Sequence, residues 1–105
     1  MSAHTYYGYI RGGASVASGA MTVYALRRID VRIEADDEEG YFAESVVLGH
    51  YGHGQTEDEA KSDLLINLGG VLDILNEYAD KGHQPSAAEA ELWRTFIEVK
   101  IGGAE

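Results

Sequence analysis

Residues 56–82, TEDEAKSDLLINLGGVLDILNEYADKG, read as a single long amphipathic helix. The start is a capping box: Thr56 can accept from the amide three residues on, Glu59 can reach back to the Thr56 amide, and Glu57 and Asp58 lie at the positive end of the helix dipole. Ala60, Leu64, Leu68, Val71, Leu75 and Tyr78 recur at steps of three and four. Leu65, Leu72 and Ala79 widen that stripe to the breadth a core-facing helix needs. Lys81 and Gly82 end the pattern, with Pro85 just beyond. Each glycine of Gly69-Gly70 costs about 1 kcal/mol against alanine in a helix. The pair therefore predicts a close approach to the helix backbone or a kink.

At 100° per residue, Glu59, Asp63, Asp73, Glu77 and Asp80 fall opposite the apolar stripe, with Ile66 and Gly70 among them. This is the pattern of a solvated face. An isoleucine on an acidic face also suits a partner contact, which makes Ile66, Asp73 and Glu77 candidate partner-binding residues.

Upstream, residues 22–35 alternate with period two: Val23, Ala25, Ile29, Val31, Ile33 and Ala35 share one parity, and Arg28, Asp30, Arg32 and Glu34 the other. Tyr24, Leu26 and Arg27 break the alternation, so a bulge or strand break is expected near residues 26–28. Asp36-Asp37-Glu38-Glu39-Gly40 reads as a turn, and residues 41–48 as the antiparallel returning strand. Three glycines in residues 49–54 suggest a short twisted third strand leading to the Thr56 cap. Beyond the long helix, Ser86-Ala-Ala-Glu89 forms a second capping box, opening a short helix to about Trp93, and residues 95–101 alternate as a last strand.

The order is β-β-β-α-short α-β. It describes an α+β fold, an antiparallel three- to four-stranded sheet with one long helix packed on one face. Residues 21–105 form this single domain. Residues 1–20, tyrosine-rich and then Gly/Ala/Ser-rich, read as a flexible or weakly ordered arm.

The 105 residues suffice for one modest core, and the absence of cysteine excludes disulfides and thiolate metal sites. No apolar run approaches the roughly 20 residues that span a bilayer, so a soluble, cytoplasmic protein is expected. The net charge of -10 is uneven: four arginines against Asp30 and Glu34 give residues 1–35 +2, leaving -12 for residues 36–105. Direct nucleic-acid binding is disfavoured, since phosphate contacts need clustered Lys and Arg, whereas a basic protein partner suits the body. The bland account of the same acids is solubility.

The run IEADDEEGYFAES, residues 33–45, followed by GHGQTEDEA, residues 52–60, resembles the HicB-like antitoxin family. The matching positions are Asp36, Gly40, Tyr41, Ala43, Glu44, Gly54, Thr56, Glu59 and Ala60, and the likeness extends over about residues 22–101. Many members append a DNA-binding domain, and nothing after residue 101 matches one. The resemblance implies a module that masks a small basic RNA-cleaving toxin. Asp36, Asp37, Glu38 and Glu39 are then expected to steer the partner, and Tyr41 and Tyr51 to anchor it.

Other chemistry is poorly served. His50-x-x-His53 has the spacing of two metal ligands but no third nearby, so surface histidines are the simpler account. The acidic turn lacks the spaced ligands of a calcium loop. No nucleophile elbow, P-loop or dinucleotide fingerprint occurs. Neither a catalytic residue nor a cofactor is expected. Two alternatives stand beside the antitoxin: a stand-alone acidic inhibitor of another nucleic-acid enzyme, of the kind a phage encodes, and a small ligand-binding domain or enzyme with a pocket lined by His50, His53 and Glu44. Open sheet edges and the glycine pair favour a homodimer.

Overall fold

A computed structural model describes residues 3–102; the first two and last three positions of the expected arm and domain lie outside the described residues. The chain runs β1 (Ala3–Ile10), β2 (Ser15–Ser18), β3 (Met21–Ala25), β4 (Ile29–Asp36), β5 (Gly40–Ser45), β6 (Gly49–Gly54), α1 (Glu57–Asp80), α2 (Gln84–Trp93) and β7 (Ile97–Ile101). The fold is α+β, with two antiparallel sheets in the orders β1-β4-β5-β6 and β2-β3-β7.

Residues 3–18 and 21–36 are the two arms of one long hairpin. A single register runs through both sheets: Ala3 lies opposite Asp36, Ile10 opposite Ile29, Ser15 opposite Tyr24 and Ser18 opposite Met21. Gly19-Ala20 closes the hairpin, with Gly19 at φ 61° as the first residue of a two-residue loop requires. The arms bend together at residues 11–14 and 26–28, where a β-carbon on Gly12 would lie 3.2 Å from Arg27 Cα. The ladder survives the bend, because the Gly13 amide donates to Ala25 O and the Ala25 amide to Ala14 O, both at 2.8 Å. The break expected near residues 26–28 is thus the point where the ribbon passes from one sheet to the other.

Within the segment read from composition as a weakly ordered arm, Ala3–Ile10 and Ser15–Ser18 are strands. A Gly/Ala/Ser composition describes the side chains, whereas the main-chain ladder to β3 and β4 gives residues 3–18 their place. Ile10 is buried, and Tyr6 Oη donates to Glu57 Oε1 at 2.6 Å, tying β1 to the start of α1.

The long helix forms where its stripe requires, with Ala60, Leu64, Leu65, Leu68 and Leu72 buried. Burial of each leucine contributes roughly 1.5–3 kcal/mol. Thr56 Oγ1 accepts from the Glu59 amide at 3.1 Å, while Glu59 Oε1 accepts from the Gln55 amide at 2.8 Å, one residue upstream of the expected partner. The helix touches both sheets. Against β6 it lies directly on glycine: a β-carbon at Gly52 would collide with Leu64 N and Ala60 O, and one at Gly54 with Glu59 Cβ. Against β3 the close approach is at Gly69, where a β-carbon would meet Val23 Cγ2. Gly70 has open space. The glycine pair thus marks one contact rather than two.

Ile29, Val31, Ile33 and Ala43 of the larger sheet, the α1 leucines, and Ala90, Trp93, Phe96 and Ile97 make a single core. The second helix starts before the expected Ser86 box. His83 is its N-cap, with Nδ1 accepting from the Ser86 amide at 3.2 Å, and Pro85 sits in the first turn, where a missing N–H is harmless. Among the described residues no helix is long and apolar enough to cross a membrane.

Candidate protein-binding surface

One face of the larger sheet packs on α1, so the period-two alternation leaves every second residue on its other face. Two rows cross that outer face. Tyr7, Arg32, Glu44 and Tyr51 lie side by side on β1, β4, β5 and β6, and Thr5, Glu34, Phe42 and His53 form the next row. Tyr7 is 72 % exposed, Tyr51 57 % and Tyr9, farther along β1, 49 %, so three aromatic rings stand open on one surface. Arg32 and Glu44 are paired across the middle at 3.2 Å, a partly exposed ion pair of the kind that contributes little to stability and more to ordering the row. Arg28 caps the Tyr9 ring, 4.5 Å from its centroid.

The acidic turn borders the second row. Asp36 Oδ1 accepts from the Glu38 and Glu39 amides at 2.7 and 3.0 Å, and Gly40 takes φ 92° to start β5. The local bonds of Asp36 leave the Asp37, Glu38 and Glu39 side chains exposed. His53 joins turn to face: Nε2 donates to Glu39 O at 2.6 Å while the ring lies on Phe42, centroids 4.6 Å apart. Gly40 also abuts Gly54 O and Gln55, which puts the turn beside the start of α1. Asp36, Asp37, Glu38 and Glu39, with Glu57, Asp58, Glu59 and Asp63, are eight carboxylates in two adjoining stretches whose one Lys or Arg is Lys61.

The nine expected partner-binding residues do not form one site. Asp36, Asp37, Glu38, Glu39 and Tyr51 are brought together by the outer face and its bordering turn. Tyr41 is half-buried against the core on the helix side of the sheet, as its parity with Ala43 dictates. Ile66 is also half-buried against the core, and lines a shallow groove of about 460 Å³ between β2 and β6. Asp73 and Glu77 are exposed, but at 1.5 Å per residue they lie roughly 20 Å or more along α1 from Glu59. Tyr7, Tyr9 and Phe42 were not among the expected residues. The signal for Tyr7 and Tyr9 was the alternation Thr5-Tyr7-Tyr9, hidden in a segment that read as an arm, and that for Phe42 was its parity opposite to Tyr41 and Ala43 on β5.

The histidines and Glu44 do not converge. His50, at φ 64°, turns its ring edge-on to Trp93, centroids 5.4 Å apart, whereas His53 is on the outer face and Glu44 is engaged by Arg32. Trp93 is a core residue whose buried Nε1 has no hydrogen-bond partner among the described residues. A cleft of about 580 Å³ lies in the bend of the hairpin, between β1, β2 and the first turns of α1. On its wall Glu57 is held between Tyr6 and Lys61, whose Nζ lies 2.7 Å from Glu57 Oε2. These bonds, with Lys61 the stronger influence, hold the Glu57 carboxyl below its ordinary range, and the hydrogen bond to Glu57 pushes the Tyr6 hydroxyl up to about 12.

No family model, curated protein or solved structure matches the chain.

Proposed function

We propose that this protein is an antitoxin-type inhibitor that masks a small basic RNA-cleaving toxin in the cytoplasm, and that it does so with the outer face of the larger sheet. One observation carries the reading: exposed aromatic rings and a dense group of carboxylates occupy one continuous surface, with His53 bridging the two parts. Carboxylates draw a basic partner in and raise its association rate, while affinity comes from rings that lose their water on contact. Tyrosine suits the second task, since it offers a large apolar body and a polar tip. The charge of residues 36–105 and the resemblance of residues 33–60 to HicB-like antitoxins support the same reading. The inhibitor acts as a homodimer and performs no catalysis of its own.

The test is capture of a small basic protein by this chain, followed by an RNA-cleavage assay of that protein with and without the inhibitor. The expected result is cleavage by the captured protein alone and its suppression by stoichiometric inhibitor. Capture of a basic protein with no activity on RNA would move the reading to an inhibitor of another nucleic-acid enzyme.

A further inference from the structure

The sheet edges are protected unequally. On β6, Asn67 Nδ2 donates to Tyr51 O at 2.7 Å and Asp63 Oδ2 accepts from the His53 amide at 2.9 Å, so helix side chains stand in for a neighbouring strand. The free edge of β7 carries Glu98 and Lys100, charges of the kind that discourage pairing, and β2 is only four residues long. β1 has none of these devices. Its eight residues, AHTYYGYI, contain no acid, no lysine or arginine and no proline, and its register with β4 has no bulge. A long, regular, uncharged edge is a template for another strand.

We infer that a second copy of this chain pairs antiparallel along β1 across a two-fold axis, joining two four-stranded sheets into one of eight. The occupant is a second copy because self-pairing sets each residue against its own strand, and β1 has no charge to place opposite its like. Isologous pairing also closes on itself and consumes both free edges, leaving no template for a further chain. Residues opposite one another in an antiparallel pair share a face, so the axis passes where a residue meets its own copy; at Tyr7 it sets Tyr7 against Tyr7 and Tyr9 against Thr5 of the other copy, all on the outer face. The outer faces then become one surface, with Phe42, Tyr51 and the acidic turns on the sides remote from the axis. Tyr7 and Tyr9 are then shared with the second copy, and the surface left to a basic partner is Phe42, Tyr51 and the acidic turns, away from β1.

This inference rests on the homodimer reading but not on the identity of the inhibited partner, and light scattering after size exclusion separates the two. At micromolar to submillimolar concentration the wild type is expected at twice the chain mass. Tyr7→Lys and Thr5→Lys, both at exposed positions, are expected at the chain mass with unchanged circular dichroism and a melting temperature that, unlike the wild type's, does not rise with concentration. Hydrogen exchange on the wild type supplies a test that needs no variant: alternate β1 amides should gain protection as concentration rises. A monomeric wild type overturns the homodimer itself. A dimer that persists in both variants, or that leaves β1 exchange unchanged, overturns this edge and assigns the contact elsewhere.

Discussion

At the scale of single residues, the two adjacent glycines of α1 separate packing from propensity. Gly69→Ala drives a methyl group into Val23, which is fully buried, so it should destabilise by about 1–3 kcal/mol. Gly70→Ala meets nothing and should stabilise by up to about 1 kcal/mol through helix propensity alone. Urea unfolding of the two variants checks the opposite signs, and two changes of the same sign would contradict the packing described here. Tyr6 and Glu57 make a second residue-scale prediction. The Glu57 carboxyl is held down, so its contribution to stability is present at neutral pH and is lost as pH falls below its ordinary value of 4.5 through the folded one. The Tyr6 hydroxyl is raised from 10.0 to about 12, so its contribution is present below 10 and is lost as pH climbs between those values. Urea midpoints against pH should fall on both limbs, and Tyr6→Phe should flatten the alkaline one.

At the scale of elements, caps and periodicity made much of the fold legible. The α1 stripe as far as Leu72, the Thr56 cap, the turn at Asp36-Gly40 and the glycine strand under the helix stand where the pattern puts them, whereas Tyr78, expected on the core face, is 52 % exposed near the end of the helix. Thr56→Ala removes the hydroxyl that accepts from the Glu59 amide and should cost about 1 kcal/mol in urea unfolding. What could not be read was tertiary. Ser15–Ser18 has the composition of a linker and becomes a strand only because β3 lies in register beside it. His83 displaces Ser86 as the cap of α2, since imidazole can accept an amide hydrogen bond but is not a usual capping residue. Of the two expected tyrosine anchors, Tyr51 belongs to the outer face and Tyr41 to the helix side, a parity set by the β5–β6 register. That register includes a shift between Glu44 and Ser45, which no local pattern announced. The helix acids misled for a different reason: a helical wheel shows a shared face but not the distance along it, which separates Asp73 and Glu77 from the sheet.

At the scale of the whole molecule, a row of exposed aromatic rings crosses the outer face of the larger sheet and the acidic turn borders that face beside Phe42 and His53, and this juxtaposition is what the functional reading depends on. The two parts should respond differently to substitution. Glu38→Lys should slow association with a basic partner and reduce its salt dependence while leaving dissociation nearly unchanged. Tyr51→Ala should leave association nearly unchanged and speed dissociation, at a cost of about 2 kcal/mol or more if the ring anchors the interface. Surface plasmon resonance at several ionic strengths distinguishes the two. The measurement that tests the central claim most directly is capture from native host lysate at low and then high salt, with wild type and Tyr51→Ala as parallel baits. The expected result is a small basic protein held by the wild type at low salt, released at high salt and largely absent from the Tyr51→Ala bait. Recovery of no basic protein, or equal recovery by both baits, would contradict the assignment of the outer sheet face as the inhibitory surface.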